Sequence, residues 1–255
     1  MRKGLVSISF RNLSPEEIIE LAVKCGLEEI EWGGDVHVPC GDLVRAREVG
    51  EMTRARGLKV ACYGSYCRMT DEEANKGMLE HVVHTAYALG APLIRVWAGK
   101  VGSAEATAAQ RDEVAQNTRR MNAIAAGGHM DIAFEYHGGT LTDTVDSAEA
   151  LLNAINLERV GCLWQPPVGM PAEKCAESIR RIGRYIRNIH TFSWNGTERM
   201  PLAEGTEKWR VCLDEIQKLS GDPAMLLEFV RGDDPAQLKA DAARLSKWLE
   251  GVAKR

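Results

Sequence analysis

The chain alternates short apolar runs with amphipathic helical segments, and this alternation occurs eight times. The runs have the length and residue pattern of β-strands, and they lie at residues 4–10, 28–33, 58–64, 93–98, 131–137, 160–165, 186–192 and 224–230. The segments between them have apolar residues at i, i+3 and i+4, as amphipathic helices do, and they lie at residues 14–26, 43–56, 73–89, 107–126, 147–155, 173–184, 207–219 and 235–253. Strands that are each followed by a helix favour a parallel sheet with right-handed crossovers.

Eight strand–helix units in 255 residues match the length of a (β/α)8 barrel, which is roughly 250 residues. We therefore predict an α/β fold with one TIM-barrel domain over residues 1–255. A doubly wound open sheet is the alternative, but it needs a glycine-rich turn after the first strand. Residues 9–14, at that place, contain no glycine. In a barrel, functional side chains come from the carboxyl ends of the strands and the loops that follow.

The charge pattern argues against several classes of partner. The net charge is −4 and the basic residues are dispersed, which disfavours nucleic-acid binding. Seven cysteines without a C-x-x-C pair indicate reduced thiols and a cytoplasmic enzyme. No run of eighteen apolar residues is present, so we expect no membrane-spanning segment. A homo-oligomer is compatible with the sequence.

Four consecutive predicted strands each place one polar residue near the carboxyl end. In 131–137, bulky Phe134 alternates with Glu135, which predicts that Glu135 points into the barrel. The same alternation turns Gln165 inward in the next strand, and His190 and Glu228 lie late in the last two strands.

An inward carboxylate is costly unless it is paired, hydrogen-bonded or bound to a metal. Two Glu carboxylates, a His nitrogen and a Gln carbonyl oxygen make a mixed N/O ligand set for a divalent cation, with Mn²⁺ as the first choice and Mg²⁺, Zn²⁺ or Co²⁺ as alternatives. We predict that Glu135, Gln165, His190 and Glu228 bind this metal. The alternative is that each residue is satisfied separately, for example Glu135 by Arg95.

At these strands the chain resembles the sugar phosphate isomerase/epimerase group of xylose isomerase-like barrels. The resemblance rests on Phe134-Glu135-Tyr136-His137, Asn188-Ile189-His190 and Leu227-Glu228-Phe229-Val230. It implies that Glu135, His190 and Glu228 bind one divalent metal and that the two glutamates act as acid and base. The substrate class would then be small-molecule carbohydrates.

Three positions depart from the pattern of that group. Gln165 replaces an Asp ligand, Val168 replaces a His that often follows, and residues 191–194 lack a Lys-Asp pair. Removing one negative ligand is expected to lower metal affinity, and the Pro166-Pro167-Val168 rim would suit a less polar or smaller substrate.

The expected function is therefore a metal-dependent isomerase or epimerase of a ketose, sugar phosphate or related hydroxy-carbonyl compound, acting through an enediolate with Glu135 and Glu228 as acid and base. Two alternatives remain open: a related lyase such as an inosose dehydratase, and a metal-free, non-catalytic carbohydrate-binding barrel. A DNA endonuclease would need extra His and Asp ligands and a basic groove, which the sequence lacks.

Five further residues are candidates for substrate binding, each with a structural role as the alternative. They are His37, Arg95, Trp97, His137 and Trp194. Arg95, which shares a strand face with Trp97, would orient Glu135 or hold an anionic group. His137 precedes Gly138-Gly139, where the backbone could approach a ligand closely. Trp194 would give an apolar wall for a sugar ring.

Overall fold

A computed structural model describes residues 1–253, and eight of its strands close into a parallel barrel. The strands are β1 Lys3–Val6, β2 Glu29–Gly33, β3 Lys59–Gly64, β4 Leu93–Val96, β5 Asp131–Glu135, β6 Val160–Trp164, β7 Ile186–Thr191, β8 Ser193–Asn195, β9 Glu198–Met200 and β10 Ala224–Leu227. The barrel order is β1-β10-β7-β6-β5-β4-β3-β2, and β8 pairs with β9 in a separate antiparallel hairpin. The predicted TIM barrel is confirmed.

Helices follow the barrel strands and surround them. They are α1 Pro15–Lys24, α2 Leu43–Ala55, α3 Asp71–Asn75, α4 Met78–Leu89, α5 Ala108–Ala125, α6 Val145–Ile155, α7 Ala172–Ile182, α8 Thr206–Ile216 and α9 Pro235–Ala253. Among residues 1–253, no helix combines the length and apolar character needed to cross a membrane.

Two apolar layers account for the fold. The layer between barrel and helices contains aromatic side chains such as Trp32, Phe134 and Trp164, whereas the barrel interior contains aliphatic ones such as Ala133 and Leu163. Because side chains alternate between the two faces of a strand, each strand supplies both layers. This alternation confirms the predicted outward direction of Phe134 and turns its neighbour Glu135 inward.

Three elements differ from the sequence-based prediction. The first strand ends at Val6, because residues 7–10 form a 3₁₀ turn. The helix predicted at 73–89 is two helices, α3 and α4, which are separated at Gly77, where φ is +73°. The β8–β9 hairpin was not predicted, and it follows β7 directly at the mouth of the barrel.

Helices α2 and α4 approach each other closely at Gly50. A Cβ atom at position 50 would overlap the backbone carbonyl of Leu89. Backbone cannot rotate away as a side chain can, so the absence of a side chain at Gly50 is a packing requirement.

We expect Gly50→Ala to lower the free energy of unfolding by about 1–3 kcal/mol, because overpacking outweighs the better helix propensity of alanine. Gly127→Ala is the matched control, since a Cβ there meets nothing within 4 Å. Urea denaturation measures both variants. Equal stability of the two would contradict the close approach.

Candidate metal centre

Glu135, His190 and Glu228 converge inside the barrel near its carboxyl end. One ligand atom from each lies within 4.8 Å of the others, and all three residues are buried. Gln165 joins them, because its Oε1 lies 3.4 Å from Nδ1 of His190. The structure thus brings together all four predicted metal ligands.

The barrel positions each of these side chains through its backbone. Glu135 is the last residue of β5 and His190 belongs to β7, whereas Gln165 and Glu228 directly follow β6 and β10. The backbone N–H of Glu228 donates to the carbonyl of Thr191, 3.2 Å away, so the sheet pairing extends to this residue. Four adjacent strand ends therefore bring four candidate ligand atoms close together.

Glu31 is a central residue that the sequence reasoning missed. It is fully buried in β2, and its carboxylate accepts from Nε2 of His190 at 3.0 Å and from Nε of Arg95 at 2.7 Å. The signal was available, because Ile30 and Trp32 face the helices and Glu29 and Glu31 must then face inward.

Arg95 and Trp97 hold one oxygen of Glu135. The guanidinium of Arg95 is ion-paired with Oε2 of Glu135, and Nε1 of Trp97 donates to the same oxygen at 2.5 Å. Oε1 of Glu135 remains directed toward Nδ1 of His190, at 3.9 Å. Arg95 also bridges Glu135 to Glu31, so it orients the carboxylates from the side opposite His190.

The ionisation of these groups follows from their mutual attraction. Burial alone would raise the pKa of Glu31, but His190 and Arg95 outweigh it and lower the pKa to about 2. Burial would lower the pKa of His190, yet Glu228 and Glu31 raise it to about 10. Burial also opposes ionisation of Glu135, but Arg95 and then His190 hold its pKa below the ordinary value.

The donor set fits a divalent cation. His190 donates from Nε2 to Glu31, which is how metal-ligating imidazoles are usually oriented, and Nδ1 then faces only acceptor oxygens of Gln165, Glu228 and Glu135. The carboxylates of Glu31, Glu135 and Glu228 carry three negative charges, and the guanidinium of Arg95 carries one positive charge. The net charge of the centre is therefore −2 when His190 is neutral. A divalent cation cancels that charge.

The remaining predicted residues divide into three groups. His137 stacks on Trp97 with ring centroids 4.8 Å apart, so both lie beside Glu135. Trp194 is in the β8–β9 hairpin and packs edge-on against Phe192 and Phe229. His37 is buried, and its contacts are with Ser7 and Trp32 rather than with Glu135 or His190.

A cavity of about 410 Å³ opens beside the centre. Its lining includes His137 and Gln165 and the aromatic residues Phe192, Trp194 and Phe229. Its volume lies within the usual range for small-molecule sites, roughly 300–1,000 Å³.

Comparison with known proteins agrees with this arrangement. The sequence model of a family described as "Xylose isomerase-like TIM barrel" matches residues 19–250. A curated relative, 3-dehydroshikimate dehydratase from Bacillus anthracis, is 26% identical over 163 residues, which cover 61% of this chain and 58% of that protein. The chain therefore aligns with little more than half the length of this relative.

Solved structures show the same fold. The probable 3-DHS dehydratase AsbF from Bacillus anthracis has a TM-score of 0.80 and 22% identity, over 96% of this chain and 99% of that one. D-Psicose 3-epimerase from Clostridium cellulolyticum H10 has a TM-score of 0.73 and 14% identity, over 98% and 99% of the chains. A xylose isomerase-like barrel from Mycobacterium smegmatis, solved with magnesium, has a TM-score of 0.74 and 15% identity, over 98% and 97%.

We expect Glu31→Gln to lower the free energy of unfolding by about 3 kcal/mol, because Arg95 and His190 lose a buried negative partner. We also expect it to weaken Mn²⁺ binding about 10–100-fold, because the orientation of the His190 imidazole is lost. Urea denaturation and calorimetric titration measure the two effects.

Glu29→Gln is the matched control. Glu29 is equally buried in the same strand, but it pairs with Arg2 at 2.6 Å, at the other end of the barrel. This variant should lose stability and keep its Mn²⁺ affinity. Equal loss of Mn²⁺ affinity in both variants would contradict a specific role for Glu31.

Proposed function

The chain belongs to the xylose isomerase-like TIM barrel family, and from that premise we propose that it is a divalent-metal-dependent lyase that removes water from a hydroxylated cyclic ketone. This substrate class includes 3-dehydroshikimate, the compound in the name of the curated relative. The observation that carries the proposal is the asymmetry between Glu135 and Glu228.

Glu135, Gln165, His190 and Glu228 would hold the cation. When bound, a divalent cation polarises a substrate carbonyl and so acidifies the neighbouring C–H bond. Glu31 and Arg95 keep the ligands oriented, as their hydrogen bonds indicate.

Glu135 is poorly suited to carry protons. One of its oxygens is held by Arg95 and Trp97, and the nearby positive charge keeps the carboxylate ionised. Epimerisation by two carboxylates requires both to exchange protons, one on each face of the substrate. An elimination can proceed with a single proton carrier, which removes the C–H proton and returns it to the departing hydroxyl.

His137 has the features of such a proton carrier. Its Nδ1 lies 2.6 Å from the carbonyl of Gly138, which only accepts, so the tautomer of the neutral ring is the one with its proton on Nδ1 and a lone pair on Nε2. The ring lines the cavity and is supported by Trp97. We assign it removal of the proton next to the carbonyl: the C–H bond breaks, a C=C bond forms, the C–O bond breaks, and the proton leaves with hydroxide as water.

The second candidate is the epimerase or isomerase expected from the sequence, with Glu135 and Glu228 as acid and base. It is favoured by the position of Glu228, whose carboxylate is ion-paired at Oε2 with Nδ1 of His190, 3.1 Å away, so that it lies beside the same ring as Glu135. A metal-free binding barrel is disfavoured because the centre keeps one uncompensated negative charge even when His190 is protonated.

The proposal predicts that the Mn²⁺-loaded protein converts 3-dehydroshikimate to an aromatic acid, seen as a rise in ultraviolet absorbance. His137→Gln should lower the rate about 10²–10⁴-fold, as loss of a general base does. His84→Gln, on the exposed face of α4, is the control. No dehydration, together with deuterium uptake into D-fructose from deuterated water, would instead establish the epimerase.

Metal binding has its own test. After treatment with a chelator, adding Mn²⁺ at about 100 times its Kd should stabilise the fold by about 2.7 kcal/mol, which raises Tm by several degrees. His190→Ala should abolish this rise, whereas His84→Ala should retain it. A protein whose Tm is unchanged by Mn²⁺, Mg²⁺, Zn²⁺ and Co²⁺ would refute the metal centre.

A further inference from the structure

A second cavity adjoins the one beside the metal centre. Its volume is about 520 Å³, and it lies between the start of α6 and one side of α7. The two cavities share Tyr136, Asp143, Pro167 and Val168 as lining residues. The two cavities therefore adjoin along the loop that follows β6.

Two buried polar atoms at the junction have no partner among the described residues. The hydroxyl of Tyr136 makes no hydrogen bond although the residue is only 1% exposed. Oδ1 of Asp143 is likewise free, while its Oδ2 accepts from the backbone N–H of Ser103 at 2.9 Å. A buried polar group without a partner is costly, so a ligand group that pairs with both would be favoured.

The chemistry of this pair specifies the ligand group. The Tyr136 hydroxyl can donate and the Asp143 carboxylate can only accept, so the complement is a hydroxyl, which both accepts and donates. An anionic group is disfavoured, because the basic residues of the second cavity are already paired. Lys174 lies 2.8 Å from Glu177, and Arg181 lies 2.6 Å from Asp146.

We propose that the second cavity is a subsite for an uncharged, hydroxylated extension of the substrate, such as a second sugar ring. The inference rests on the proposed function, because it takes the first cavity to hold the reacting ketone. The substrate would then span both cavities, with Val168 at the junction between them. The side chain of Val168 is 52% exposed, as an apolar contact for a sugar face would require.

The test is calorimetric binding to the Mn²⁺-loaded protein, with D-fructose and isomaltulose as probes. Both supply a ketose unit, and isomaltulose adds a glucosyl ring. We expect isomaltulose to bind at least about tenfold more tightly, which corresponds to about 1.4 kcal/mol or one to two net hydrogen bonds. Equal affinities, or no binding of isomaltulose, would overturn the proposal.

Two pairs of variants localise the effect. Tyr136→Phe should weaken isomaltulose binding more than fructose binding and so remove most of the preference, whereas Tyr185→Phe, which changes a tyrosine outside both cavities, should keep it. Val168→Trp should block the passage, and Val44→Trp, on the exposed surface of α2, should not. If Tyr136→Phe weakened both sugars equally, the subsite would be refuted. Thermal melting checks that each variant is folded.

These results separate the subsite from the reaction, because binding is measured without turnover. A preference for isomaltulose that depends on Tyr136, without any dehydration or exchange, would support the subsite and count against the proposed lyase. Dehydration of 3-dehydroshikimate without that preference would support the lyase and overturn the subsite.

Discussion

The structure depends on one buried guanidinium. Arg95 lies inside the barrel between the carboxylates of Glu31 and Glu135, and all three groups are almost completely removed from solvent. Charges in such a place are tolerated only with well-placed partners. The three residues lie on three different strands, and the closed barrel brings them together. A shift of any of these strand ends would separate a buried charge from its partner.

Much of this fold could be predicted from the sequence, because alternate side chains of a barrel strand face the helices and the barrel interior. The eight alternating units predicted the barrel, and the alternation of Phe134 with Glu135 gave the correct inward direction. The same rule, applied to Ile30 and Trp32, would have revealed Glu31. Glu31 lies outside the motifs of the last four strands, which carry the family resemblance.

Other features were beyond pattern reasoning. The split between α3 and α4 depends on a left-handed conformation at Gly77, and an isolated glycine within a helical pattern is usually tolerated. The β8–β9 hairpin has two strands of three residues, too short for a period-two signal. That hairpin nevertheless carries Trp194 into the lining of the cavity, so a short element after a barrel strand contributes to the site.

Gln165 acquires a physical explanation from the charge balance. With a divalent cation bound, the charges of Glu31, Glu135, Glu228, Arg95 and the cation sum to zero when His190 is neutral, and Gln165 adds none. An aspartate at position 165 would leave that buried centre with a net negative charge, which would oppose the negative charge that develops on a substrate oxygen as a proton is removed. Arg95 and Gln165 therefore act on the charge of this cluster in the same direction. The guanidinium keeps Glu135 ionised, and the neutral amide of Gln165 adds no further negative charge beside His190.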